Sequence, residues 1–266
     1  MNDVVDLLFI HVPKFSSYYK PYGEYMTLNL LSMGTWALAD LAAREGYKTD
    51  ILHLGLEWIE GEVFSPLNYL KGKEVKVAAI PLHWHQQSYD VMRVAEEIRR
   101  EKPGVYVILG GYTASFFHQE ILASFPQIDA VIRGDAEIPL LALMKAIEEG
   151  RRWEEVPNLT WREGERIREN SFSYVAAERD LDRPSYANLP LLKDRETYMR
   201  FMGIPFVWAK GLSKEGNKKY YHLGPSLFPL NIGRGCLGNC TWCGGGLEAQ
   251  QLVNGRRGVV FRSLRA

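Results

Sequence analysis

From residue 4 onward, short apolar runs alternate with stretches in which apolar residues recur every three or four positions. Residues 4–10, 49–54, 75–80, 105–109 and 129–132 read as strands, apolar on both faces. Between them lie amphipathic patterns. Leu31, Leu38, Leu41 and Ala42 mark a helix that stops at Gly46, where a glycine suits the left-handed end. Val91, Val94, Ala95 and Ile98 mark a second, broken at Pro103-Gly104 because proline cannot continue a helix. Phe117, Ile121 and Leu122 carry a third, and a last helix runs from about Ile138 to Gly150 with Pro139 in its first turn, where proline is tolerated. Residues 54–75, with Trp58, Gly61 and Pro66, form a less regular link. Strand and helix alternating in this way predict an α/β fold: a doubly wound, parallel, five-stranded sheet.

Sheets of this type bind ligands beyond the carboxyl ends of their strands, where the strand order reverses. The segments expected there are His11-Val-Pro13-Lys14, Pro81-Leu-His83-Trp-His85, Gly110-Gly111-Tyr112-Thr113 and Arg133-Gly134-Asp135-Ala-Glu137. Neither Gly-x-Gly-x-x-Gly nor a Walker loop is present, which disfavours a nucleotide site. Downstream, residues 158–173 alternate polar and apolar positions around Glu163-Gly164-Glu165 and predict a hairpin. Pro184, Pro190 and Pro205 then punctuate an irregular connector, so residues 151–225 read as a linker.

All three cysteines, Cys236, Cys240 and Cys243, fall within eight residues of a glycine-rich stretch. An odd set this close cannot pair off as disulfides, whereas soft thiolates on one loop can converge on iron or zinc. A zinc site would need a fourth ligand, with His222 the nearest histidine, and zinc loops commonly come as two spaced pairs. A four-iron cluster ordinarily takes four cysteines, so three leave one iron open.

Cys-x3-Cys-x2-Cys, with Arg234-Gly235 before it and Trp242 inside it, resembles the cluster loop of the radical S-adenosylmethionine (SAM) family. That resemblance implies a 4Fe-4S cluster on Cys236, Cys240 and Cys243, with S-adenosylmethionine on the open iron near Trp242, Gly244 and Gly245. Residues 227–232 would be the first barrel strand. A strand, Gly-Gly-x-Thr, a helix, then a strand ending in Gly-Asp-x-Glu resembles the cobalamin-binding domain that precedes such barrels, over roughly residues 1–200. It implies a flavodoxin-like sheet of the cobalamin-binding type, with contacts from His11, Pro13, His83, Gly110, Gly111, Tyr112, Thr113, Gly134, Asp135 and Glu137. The Asp-x-His-x-x-Gly motif is absent. Asp50-Ile-Leu-His53-Leu-Gly55 has another spacing, so no histidine is assigned below the cobalt, although His83 and His85 lie on a binding-edge loop.

The expected organisation is a cobalamin-binding domain over 1–150, the linker over 151–225 and the start of a partial (β/α) radical SAM barrel over 226–266. Only 23 residues follow Cys243, so the chain is expected to be the N-terminal portion of such an enzyme. The implied chemistry is methyl transfer to an unactivated centre of a small-molecule or peptide substrate, driven by an external one-electron reductant such as a flavodoxin or ferredoxin. Cyclisation or rearrangement by the same modules, a cobalamin carrier without catalysis, and an electron-transfer iron-sulfur protein are the alternatives.

Charge narrows the partners. With 32 basic and 32 acidic residues and no basic run, the chain has no electrostatic footprint for nucleic acid or an anionic membrane. Asp3 and Asp6 interrupt the first apolar stretch, and no run reaches membrane-spanning length. A cytoplasmic location is expected, where reducing conditions keep thiolates available.

Overall fold

The computed structural model describes residues 3–15, 31–61, 63–150, 152–185, 188–201, 233–235 and 259–261. In chain order these give β1 (Asp3–His11), α1 (Met33–Arg44), β2 (Thr49–His53), α2 (Leu54–Gly61), α3 (Leu67–Leu70), β3 (Lys73–Pro81), α4 (Ser88–Glu101), β4 (Tyr106–Gly110), α5 (Tyr112–Phe116), α6 (His118–Ser124), β5 (Ala130–Ile132) and α7 (Glu137–Glu148). β6 (Leu159–Glu163), β7 (Arg166–Glu169), α8 (Glu178–Asp182), α9 (Arg195–Phe201), β8 (Gly233–Gly235) and β9 (Val259–Phe261) follow.

Seven strands form one sheet in the order β2-β1-β3-β4-β5-β6-β7. The first five run parallel, with Phe9 opposite Ala79 and Pro81 opposite Gly110. The chain steps to one side after β1 and to the other after β2, so the order reverses between β1 and β3. That is where a crevice opens at the carboxyl edge.

Both faces are covered, which is why the parallel strands are nearly continuous apolar runs. On one face Phe9, Ala79, Ile108 and Ile132 pack beneath α1 and α7 through Trp36, Leu140 and Leu143. On the other, Leu8, Ile80, Leu109 and Val131 meet Val91, Val94 and Ile98 of α4 and Leu122 of α6. Each large side chain so buried contributes about 1.5–3 kcal/mol.

Local signals set the helix ends. Ser32 caps α1 by accepting from the Thr35 amide at 3.2 Å, and Gly46 leaves it at φ +96°. α4 carries Asp90 in its first turn and Arg99 and Arg100 in its last, each favourably placed against the helix dipole.

Three features differ from the sequence-based expectation. The link over residues 54–75 contains two helices, α2 and α3, whose apolar faces are short enough to hide among turn residues. Phe117 lies between α5 and α6 and is largely exposed instead of joining Ile121 and Leu122 in the core. The sheet does not stop at five strands, because the hairpin β6–β7 adds to β5 antiparallel, with Val131 opposite Thr160. Arg133 fixes it: buried, it pairs with Glu169 at 2.5 Å and donates to the carbonyls of Asn158 and Asn170.

The connector wraps back over the first helices. Asp40 on α1 accepts from the Ser185 amide at 2.6 Å and the Asn188 side chain at 2.9 Å. Leu192 bridges in parallel to Ile51 of β2, and the Lys193 amide donates to the Ile51 carbonyl at 3.0 Å. On α9, Tyr198 is buried with its hydroxyl accepting from the Leu31 amide at 3.1 Å. β8 and β9 pair antiparallel; residues 227–232, expected as the first barrel strand, lie outside the described residues. No helix among the described residues is long and apolar enough to cross a membrane.

Candidate functional site

A cavity of about 290 Å³ opens at the strand-order reversal. Its floor is the sheet face of Phe9, Ala79, Ile108 and Ile132; Gly34, Thr35 and Leu38 of α1 wall one side, and Ala136, Glu137 and Leu140 wall the other. His83, Gly110, Gly111, Tyr112, Ser115, Gly134, Asp135 and Arg234 ring it.

The rim is built by crowded backbone. Gly111 sits at φ +96°, and a Cβ there would lie 2.9 Å from both the Leu82 carbonyl oxygen and His83 Nδ1. Only glycine lets the β4 loop pass so close to the β3 loop. Ser115 joins the next pair of loops, its hydroxyl donating to the Gly111 carbonyl at 2.8 Å and accepting from the Gly134 amide at 2.9 Å. The rim is held by the protein before any ligand arrives.

His83 completes one wall. Its Nε2 lies 3.1 Å from the Ser32 hydroxyl, which itself reaches the Thr35 hydroxyl at 2.8 Å. Burial lowers the His83 pKa below its ordinary value, because a charged ring would lose its water there. The ring is neutral near pH 7.

The opposite wall is charged. Asp135 and Glu137, 7% and 1% exposed, face Arg234: its Nη1 lies 3.0 Å from Asp135 Oδ1 and its Nη2 2.5 Å from Glu137 Oε1. Asp135 Oδ2 also accepts from the Ala176 amide at 3.0 Å. Burial alone would lower the Arg234 pKa, but the two carboxylates outweigh it and hold the pKa above the ordinary value.

Seven of the ten expected cobalamin contacts thus converge: His83, Gly110, Gly111, Tyr112, Gly134, Asp135 and Glu137. Three do not line the cavity. His11 is buried at the end of β1 with its ring centroid 4.4 Å from that of His53, because the two strands are paired in register there. Pro13 is buried beyond it. Thr113 supports the rim from behind, its hydroxyl donating to the His83 carbonyl at 2.8 Å.

Cys236, Cys240, Cys243, Trp242, Gly244 and Gly245 lie outside the described residues. Among those described, no cluster of three or more His, Cys, Asp or Glu could hold a metal ion.

Sequence reading did not assign Ser32, Thr35, Leu38, Ser115 or Arg234 to this site, taking Leu38 only as a helix position and Arg234 only as part of the cysteine motif. Ser32-x-x-Thr35 before an apolar helix is a readable capping signal. Arg234, by contrast, arrives 99 residues after Asp135, and no local pattern announces that contact.

Residues 20–144 match the family model described as the B12 binding domain. An uncharacterized methyltransferase of Pyrococcus horikoshii is 26% identical over 161 residues, covering 60% of this chain and 29% of that protein. The anaerobic magnesium-protoporphyrin IX monomethyl ester cyclase of Rubrivivax gelatinosus is 25% identical over 219 residues, covering 79% of this chain and 35% of that protein. The chain therefore spans a minor part of the curated relatives it matches. Among solved structures, the radical S-adenosylmethionine methyltransferase TsrM from Kitasatospora setae, with cobalamin and a 4Fe-4S cluster bound, superposes with a TM-score of 0.61 at 16% identity. The match covers 99% of this chain and 44% of that one. At that identity the likeness is one of fold.

Proposed function

We propose, from the premise that residues 20–144 are a B12-binding domain, that the chain holds cobalamin at its sheet edge and a 4Fe-4S cluster with S-adenosylmethionine on its cysteine loop. The pair of sites would serve radical methyl transfer to an unactivated centre. One observation carries the reading: Arg234, two residues before Cys236, is itself part of the cavity wall. The chain enters the cysteine loop from the rim of the cobalamin cavity.

The described residues fit cobalamin. The cavity is near the lower end of the range of about 300–1,000 Å³ for small-molecule sites. That would be room for part of the cofactor, held between the sheet floor and the loops at the rim. Glycines at 110 and 134 keep side chains out of the mouth. Glu137 Oε2 is buried without a hydrogen-bond partner among the described residues, a costly state that an N–H or O–H of the ligand would relieve. The apolar floor suits an apolar part of the cofactor.

When bound, cobalamin would supply a transferable methyl group, and the cluster with S-adenosylmethionine the radical that removes a substrate hydrogen. The chain's residues position and shield. Phe9, Ala79, Ile108 and Leu140 would exclude water from the bound group, Glu137 would accept a ligand donor, and neutral His83 avoids placing a second buried cation opposite Arg234. An external one-electron reductant and a small-molecule or peptide substrate complete the proposal.

The likeness to the anaerobic cyclase favours ring closure as a second reading. A methylated against a ring-closed product separates the two.

Anaerobic reconstitution of the chain with iron, sulfide and hydroxocobalamin tests the assignment. The expected result is one cobalamin and about four iron per chain, with Cys240→Ala losing the iron and keeping the cobalamin. Cobalamin without iron would leave a carrier module, and iron retained by Cys240→Ala would overturn the ligand set.

A further inference from the structure

The two carboxylates on the acidic wall of the cavity are not equally engaged. Asp135 has both oxygens taken: Oδ1 faces Arg234 Nη1 at 3.0 Å, and Oδ2 accepts from the Ala176 amide at 3.0 Å. Glu137, 1% exposed, has its Oε1 against Arg234 Nη2 at 2.5 Å. Its Oε2 is buried without a hydrogen-bond partner among the described residues. Both residues line the cavity.

Charge on this wall does not balance. Two carboxylates face one guanidinium, whose fork is spent on both. The histidine at the cavity, His83, adds no compensating charge, since burial lowers its pKa and keeps it neutral near pH 7. A ligand group set against Glu137 Oε2 therefore meets a lone pair and surplus negative charge. An N–H or O–H donor satisfies both, in a charge-assisted hydrogen bond. A carboxylate satisfies neither, because it brings a second acceptor and a further buried negative charge.

Resting on the cobalamin reading above, we infer that Glu137 is the specificity-determining residue of the cavity. It admits corrinoids that bring a hydrogen-bond donor to its Oε2 and rejects those that bring a carboxylate. Such a donor has two sources in a corrinoid, a carboxamide arm of the ring or a hydroxyl of the ribose. Hydrolysis turns the first of these into a carboxylate.

Glu137→Gln probes this at constant shape. The guanidinium of Arg234 takes the carbonyl oxygen of the new amide, so the NH2 occupies the place of Oε2. An acceptor becomes a donor. A ligand donor then meets another donor and should lose about tenfold in affinity, the cost of leaving a buried polar group unpaired. A ligand carboxylate should instead gain.

Equilibrium dialysis compares the native chain and Glu137→Gln against hydroxocobalamin, against cobinamide, which keeps the carboxamides and lacks the ribose, and against the separated monocarboxylic acids of cobalamin, each with one carboxamide hydrolysed. If a carboxamide is the donor, one acid binds the native chain about tenfold more weakly than hydroxocobalamin does. That acid alone then gains in Glu137→Gln, while cobalamin and cobinamide both weaken. If a ribose hydroxyl is the donor, cobalamin and every acid weaken in Glu137→Gln and cobinamide is unchanged.

Equal affinity of the two chains for hydroxocobalamin overturns the inference. So does a change by one common factor for every corrinoid, which is what a residue serving only the fold would give. If Glu137→Gln fails to fold, Glu137→Asp decides, since it keeps the acceptor and withdraws it by one methylene. Hydroxocobalamin should then weaken relative to the corrinoid lacking the donor, and a uniform shift again overturns the inference. A native chain that takes up no corrinoid refutes the underlying cobalamin reading instead.

Discussion

Gly110 and Gly111 are neighbours with different duties. A Cβ on Gly110 would meet only the Ile132 carbonyl oxygen at 3.8 Å, an ordinary contact, so Gly110→Ala is expected to leave stability nearly unchanged. Gly110→Leu, by contrast, projects into the cavity and should abolish cobalamin binding. Gly111→Ala combines a left-handed backbone with two contacts at 2.9 Å and should cost about 1–3 kcal/mol. Urea melts read beside cobalamin titrations separate a glycine kept for the ligand from one kept for the fold.

His83 makes the site pH-sensitive. Its folded pKa lies below its ordinary 6.5 because the ring is buried. Above that value neither the folded nor the unfolded chain holds the proton. As pH falls below it, the unfolded chain takes up the proton first, so stability falls until the folded pKa is passed. His118 is lowered too, chiefly by burial and then by Arg133, and acts in the same direction. The thermal midpoint should drop between about pH 7.5 and pH 5.5, and His83→Gln should flatten part of that slope.

Among the elements, the connector behaves as part of the domain it leaves. Tyr198→Phe removes the acceptor of the buried Leu31 amide and should cost about 1–3 kcal/mol, measured by chemical denaturation. Five strands and the helices α1, α4 and α7 were legible in the sequence, because parallel strands covered on both faces and helices with one apolar stripe leave local periodic traces. α2 and α3 were not, since short helices among Gly61, Ser65 and Pro66 carry too few turns for a period to emerge. The hairpin was legible, but its place beside β5 was not. That pairing depends on Arg133 reaching Asn158, Glu169 and Asn170, contacts no local pattern encodes.

For the molecule as a whole, the candidate site was legible where it is local. Gly110-Gly111 and Gly134-Asp135-Ala-Glu137 sit at strand ends and announce a binding edge. The α1 wall and Arg234 were hidden because folding, and not sequence proximity, brings them there. A ligand bound by all these walls must stabilise all of them. Hydroxocobalamin at one hundred times its Kd should add about 2.7 kcal/mol to stability, seen as a raised thermal midpoint, and the gain should vanish in Gly110→Leu.

The two outermost strands of the main sheet share one further property. β2 has Leu192 and Lys193 laid along it, and β7 reads Arg-Ile-Arg-Glu with every residue exposed. One border is roofed and the other bristles with charge, both of which discourage a foreign chain from extending a sheet by backbone pairing. Among the described strands, growth of the main sheet by a foreign strand is thereby opposed at either flank, by a covering segment on one and by charge on the other.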